Sequence, residues 1–271
     1  MEREIPRTLW SLSRAFQHGA DDIAYEIILV DNGSDRLPQI PDMDPMPQVV
    51  RAQVASGSPV GAMNQGLAMA RGALIGAWID GARMASANLL RAVHAAAQLH
   101  PRPVLAVPNW QLGPSARQAW SVTQGYDKTV EDALLAQAGW PAPDADLFSV
   151  ATPEMPQITG PMMESNALFL RAQDWAALGG FDPGFDLVGG GMANPDMYQR
   201  ALQLEGAQQI RIDGAATFHQ IHGGTTTDGK ARAIAAVKEA AVHYQRLRGA
   251  PIRQIREPGW IFDANAQHVV R

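Results

Sequence analysis

A chain of 271 residues with 46% hydrophobic content can bury a full core in one large domain or two small ones, and its net charge of −5 lays no basic footprint that would suit nucleic acid as a partner. The absence of cysteine rules out disulfides and thiolate metal sites, and no apolar run nears the ~20 residues that cross a bilayer. The charged opening MEREIPRTLW lacks a signal peptide's apolar core, so the expectation is a cytoplasmic protein for which peripheral contact with a membrane surface stays open.

Helix and strand signals alternate along the chain, as they do in α/β folds. Pro6 to Gln17 places Leu9, Leu12 and Phe16 on one helical face, with Pro6 suited to a first turn. Tyr25 to Asp35 is apolar and β-branched up to Val30, then turns polar at Asp31, Asn32 and Gly33, which predicts a buried strand running into a loop. A Pro-rich loop from Leu37 to Pro47, a short strand from Gln48 to Gln53 and a helix from Gly61 to Gly72 follow. Ala73 to Asp80 predicts a second buried strand ending on an acid, followed by Gly81 and Ala82 and a helix from near Met84. Arg102 to Trp110 reads as one further strand, and residues 110–160 as an insert over the site, built around a helix from Lys128 to Ala138. Glu164 to Phe185 gives a strand, a helix and a Gly-Gly turn; a last amphipathic helix spans Lys230 to Leu247, before a tail without clear pattern. There is no internal repeat.

Two aspartates, Asp31 and Asp80, close apolar strands. An acid there is costly to bury unless paired, and at the carboxyl end of an α/β strand it points into the crevice where ligands bind. The plainer alternative for Asp80 is a cap on the helix near Met84. Both acids are expected at one crevice, at the ends of neighbouring parallel strands of one sheet.

The segments EIILVDNGSD, SGSPVGAMNQGLAMARGALIGAWIDGAR, ALFLRAQDWAALGGFDPGFDLVGGGMANPDMYQRA and TFHQIHGG together resemble the family 2 glycosyltransferases. The resemblance implies a single α/β domain of the nucleotide-diphospho-sugar transferase (GT-A, Rossmann-like) fold, with a mixed, mostly parallel central sheet and flanking helices. It implies a donor half at residues 1–109, an acceptor half at 161–228, and a C-terminal helix and tail at 229–271. The implied activity is transfer of a sugar from a nucleotide diphosphate, UDP above all, usually with inversion, onto a carbohydrate, lipid-linked or small-molecule acceptor.

By the same resemblance Asp31 receives the nucleobase, with Asn32 beside it, and Asn64 belongs to the helix that packs along the nucleotide. The family's Asp-x-Asp motif is reduced here to Asp80, with Ala82 in the second acidic place, so a Mn²⁺ or Mg²⁺ ion would be held weakly through Asp80, phosphates and water. His219 and His222 are placed to complete its shell. Met63 stands where the family often has a diphosphate-binding Arg, and Arg83 can supply that charge instead. Gly223 to Thr227 could turn backbone N–H groups and hydroxyls toward the diphosphate. Asn194 occupies the place of the family's general base; Asp196, two positions on, is the nearest substitute, its alternative being a helix N-terminal acid. Glu164, Asp182 and the ring of Trp110, with Trp120 and Trp140, are the candidates on the acceptor side.

A rival is a non-catalytic relative that binds a nucleotide sugar or a protein partner; a nucleotidyltransferase would want a Gly-rich basic loop that the N-terminal segment does not show. The family's first strand would precede the helix at Pro6, so the start lies further upstream, or the chain is a piece lacking that strand, or a tail strand fills its place.

Overall fold

The computed structural model describes residues 1–222 and 230–270. Helix α1 (Glu4–Ser11) carries Pro6 in its first turn, where the missing N–H has no intrahelical partner to lose. It stops short of the predicted Gln17 because Ser11 and Ser13 hydroxyls bond back to the Thr8 and Trp10 carbonyls, and the chain turns away. Strands β1 (Ile28–Asp31) and β2 (Gln48–Arg51) pair in parallel as a sheet of their own. Helix α2 (Val60–Met69) leads to β3 (Leu74–Ala77).

The helix expected near Met84 is instead a strand, β4 (Arg83–Ala85), because a later strand captures it in antiparallel pairing; α3 begins only at Leu89 and runs to Ala97. The predicted strand from Arg102 to Trp110 is two: Val107 and Pro108 separate β5 (Pro103–Ala106) from β6 (Asn109–Leu112), and the pieces enter different sheets. Helices α4 (Gln118–Thr123) and α5 (Lys128–Gln137) come next, the latter capped by Asp127 accepting from Val130 N, and then β7 (Ala151–Pro153). Strand β8 (Leu168–Arg171) runs into α6 (Ala172–Leu178), which ends on Gly179 in the left-handed region at φ 69°. The remaining elements are α7 (Ala193–Leu202), β9 (Gln208–Asp213), β10 (Thr217–His219), α8 (Lys230–Arg248), β11 (Trp260–Asp263) and β12 (His268–Val269).

The main sheet has the order β12-β11-β9-β5-β8-β3, with mixed strand directions. Side chains alternate across a strand, and here both faces are covered. Leu105 of β5 and Phe169 of β8 pack on α3 through Leu89, Val93 and Ala96. Val104, Ala106, Leu168 and Leu170 pack on the other side against Trp175, Phe181, Met197 and Tyr198 of the α6–α7 region. The tail supplies β11 and β12 at the edge beyond β9, whereas β3 pairs, among the described residues, with β8 alone. Contrary to the expectation from their sequences, the strands of Asp31 and Asp80 are not neighbours in one sheet: β1 belongs to the two-stranded sheet.

A four-stranded sheet, β4-β10-β6-β7, completes the mixed α/β architecture. One face is apolar, with Met84, Leu112 and Phe218 packed against Phe16 and against Leu135 of α5. By the same alternation the opposite face carries Arg83, His219, Asn109 and Gln111. No helix among the described residues is long and apolar enough to cross a membrane.

Candidate active site

Strand register assembles the polar face. His219 lies opposite Arg83 on β4 and opposite Gln111 on β6, so three polar side chains form one row across three strands. Trp110 pairs with Pro153 in the antiparallel β6–β7 ladder, and Glu154 N bonds Asn109 O at 3.1 Å, which brings Glu154 opposite Asn109 on the same face.

Asp80 reaches this row from the turn after β3. Its Oδ1 accepts from Ala82 N at 2.8 Å, and its Oδ2 pairs with Arg83 Nε at 3.0 Å; Arg83 in turn donates through Nη1 to Asn109 Oδ1 at 2.7 Å. Gly81 admits no side chain, since a Cβ there would lie 2.6 Å from Ile5 Cγ1, and Thr8 Oγ1 bonds the Gly81 carbonyl at 2.8 Å. Helix α1 thus props the Asp80 turn. Asp80 is a turn acid and not a helix cap, because β4 follows it.

Ligand atoms of Asp80, His219 and His222 all lie within 4.8 Å of one another. Gln111 Nε2 donates to Glu154 Oε1 at 2.5 Å, which leaves Gln111 Oε1 to accept from His219 Nδ1 at 3.0 Å. That fixes the tautomer: Nδ1 carries the proton, and the lone pair sits on Nε2, 3.1 Å from His222 Nε2. A ligating imidazole ordinarily holds its other N–H on such a partner. The donor set fits a divalent cation, and with two imidazoles to one carboxylate it suits Mn²⁺ better than Mg²⁺, which prefers oxygen.

The turn bearing the two imidazoles is itself clamped. Ile221 N donates to the buried Glu131 Oε2 at 2.7 Å, and Arg3 Nη2 bridges the Ile221 carbonyl at 3.0 Å and Glu131 Oε1 at 2.6 Å. Burial pushes the Glu131 pKa up against these contacts. Helix α5 in the insert and Arg3, just ahead of α1, therefore hold the His219–His222 turn together.

Burial alone would raise Asp80, but the Arg83 guanidinium, followed by the imidazoles and the Ala82 N–H, outweighs it and brings the carboxyl from 3.8 to about 2. His219, 7% exposed, is depressed from 6.5 to about 3, first by burial and then by Arg83. Below 6.5 the unfolded imidazole takes a proton that the folded one refuses down to about 3, so the unfolded state binds more protons and stability falls with pH across that window. Asp80 adds to the loss only below 3.8. In metal-free buffer, moving from pH 7 to about 4.5 should cost the wild type roughly 2–3 kcal/mol more than His219→Asn, measured by urea unfolding. Parallel pH profiles for the two proteins would contradict this placement of His219.

Other candidates fall elsewhere. Asp31 is buried and paired with Arg51 at 3.3 Å. Residues 33–36 after it border a recess of about 320 Å³ shared with Met1 and Ile5, beside the Asp80 turn. Asn32 spans the loop to Ser56 O and Ser58 O, and Asn64 grips both the N–H and the carbonyl of Phe181 at 2.8 Å, so both side chains are spent on backbone. Asp182 is tied to Gly184 N and Arg248. Trp110 points to the apolar face, edge-on to Phe148 at 4.9 Å, because it alternates with Asn109 and Gln111; Trp140 packs on Phe16, and Trp120 is exposed.

Asp196, the candidate proton acceptor, is engaged in ion pairs. It is buried, and its two oxygens accept from Arg248 at 2.6 and 2.8 Å and from Arg200 at 2.8 Å. Asn194 donates instead to Glu164 Oε2 at 2.9 Å, and Asn166 to Glu164 Oε1 at 3.4 Å. Gly223 to Thr227 lie outside the described residues. Asn109, Gln111, Glu131 and Glu154 were not singled out from the sequence; the period-2 alternation of Asn109-Trp110-Gln111-Leu112 after Pro108 is the signal that marks the first two.

Residues 2–101 match the family model for "Glycosyl transferase family 2". Among solved structures, S. aureus TarS (residues 1–349) superposes with a TM-score of 0.50 at 15% identity, over 90% of this chain and 62% of that one. The chain thus spans less than two thirds of that protein, and at this identity the likeness concerns the fold alone. No curated protein matches the chain in sequence. Residues 2–101 are thus similar to the family 2 glycosyltransferases, and the mixed α/β fold of the chain is of the GT-A type.

Proposed function

We propose that the protein is a glycosyltransferase that moves a sugar from a nucleotide diphosphate, UDP by preference, to an acceptor hydroxyl with inversion. The observation that carries this reading is the convergence of Asp80, His219 and His222 within 4.8 Å beside Arg83, on a chain whose residues 2–101 match the family. Asp80, His219 and His222 would hold the cation, which when bound supplies positive charge against the diphosphate of donor and leaving group. Arg83 adds a fixed guanidinium next to it. The recess lined by Met1, Ile5, Gly33, Ser34, Asp35 and Arg36 suits the nucleoside, since it adjoins the Asp80 turn through Ile5. The acceptor, whether carbohydrate, lipid-linked or small molecule, would approach from the Glu154–Glu164 side of the polar face.

Calorimetric titration with UDP-glucose, UDP-galactose, UDP-N-acetylglucosamine and GDP-mannose, each with MnCl₂ and with EDTA, tests the reading. One donor is expected to bind in the ~μM range with Mn²⁺ and much more weakly without. Failure of all four with Mn²⁺ present would turn the assignment to a non-catalytic relative.

A further inference from the structure

Inverting transfer needs a group that takes the proton of the attacking hydroxyl, and the family position for it is Asn194, whose amide cannot. Asp196 is held by two guanidiniums. The geometry points to Glu154, on the β7 edge of the polar face, as the catalytic base; this assignment rests on the transferase reading above.

Glu154 is solvent-accessible, yet protein lies on most sides of its carboxyl. One oxygen accepts from Gln111, the residue that also holds His219, so a single amide fixes both the base and a cation ligand. Neither Glu154 nor Glu164 forms a salt bridge with a described cation, unlike Asp31, Asp80, Asp182 and Asp196. The two glutamates divide the work. Glu164 has both oxygens occupied by the Asn194 and Asn166 amides, whereas Glu154 accepts a direct bond from the Gln111 amide, with the Asn109 amide nearby.

Burial and then the Glu164 charge push the Glu154 pKa up, against lesser opposing effects of Arg83 and of the Gln111 and Asn109 amides. A carboxylate with raised proton affinity is the better base near neutral pH. Asn194 thus holds the neighbouring acid that tunes the base, in the place where a base would otherwise stand. In the step itself the acceptor oxygen bonds the anomeric carbon. The bond from that carbon to the diphosphate oxygen breaks with its electron pair leaving on the nucleotide, and the hydroxyl proton passes to Glu154 and on to solvent.

The test measures release of nucleoside diphosphate from the three UDP-sugars named above, with MnCl₂ and with water as acceptor, by wild type, Glu154→Gln and Glu164→Gln. Glu154→Gln should lose ~10²- to 10⁴-fold in kcat while Mn²⁺ and donor affinities stay within about twofold. Glu164→Gln should shift the acid limb of the kcat profile to lower pH, because removing the neighbouring charge lowers the Glu154 pKa. A purely structural Glu154 would not couple the pH profile to Glu164. Glu154→Gln turnover within about threefold of an active wild type overturns the assignment of the base; a wild type that releases nothing overturns the transferase reading and this inference with it.

Discussion

Asp196→Ala should destabilise the protein by roughly 2–4 kcal/mol while leaving Mn²⁺ and donor binding intact. Its carboxylate, 2% exposed, receives Arg248 through two bonds and Arg200 through one. Removing one partner of a buried ion pair strands the rest, at ~3–5 kcal/mol for fully buried groups. Arg248 and Arg200 keep 27% and 24% of their side-chain surface in solvent, and Arg248 retains Asp182 at 2.6 Å, so the cost here is smaller. Since Arg248 is the last residue of α8, the loss should show as looser docking of that helix: urea midpoints fall, and amide exchange quickens first in α8. If Asp196→Ala kept full stability but lost turnover, Asp196 would be restored as the proton acceptor.

The contrast between Asp80 and Asp196 shows what a linear sequence can disclose. Asp80 and the pair His219 and His222 are legible because each stands at the end of an apolar run, and strand ends at ligand crevices are a local pattern. The fate of Asp196 depends on Arg248, 52 residues away on a helix whose own pattern says only that it is amphipathic. Asn109, Gln111 and Glu154 come together through the pairing of β6 with β10 and β7, which no local period encodes; Pro108 hid Asn109 inside what reads as one apolar strand, and Gln111 fell in the predicted insert. The same alternation that exposes Gln111 to His219 turns Trp110 away, although an aromatic beside a polar residue in sequence looks equally available. At Met84 local preference lost to tertiary pairing, since a three-residue strand captured by β10 overrides the helical signal. Asn64 shows a further limit: the motif marks its position, but its amide is consumed by the Phe181 backbone.

Substituting one of the proposed cation ligands should have the largest effect of all. His219→Ala is expected to weaken Mn²⁺ binding by more than the ~10- to 100-fold that loss of an outer hydrogen-bond partner typically costs, and Asp80→Asn should do the same, because the cluster has three donors and no described fourth to take over. Gln111→Leu provides the graded comparison. It keeps all three ligands but frees the His219 tautomer, so it should fall within the ~10- to 100-fold range. Titration of free Mn²⁺ by electron paramagnetic resonance reads these affinities directly. Thermal unfolding reads them independently: an ion at 100 times its Kd stabilises the folded state by ~2.7 kcal/mol, an increment His219→Ala should not show. Mg²⁺ at equal concentration should stabilise the wild type less than Mn²⁺, since two of the three donors are imidazoles. Unchanged Mn²⁺ affinity in both His219→Ala and Asp80→Asn would mean that the three side chains meet only as a hydrogen-bonded polar cluster, in which the 3.1 Å contact between the imidazoles is an ordinary N–H···N bond.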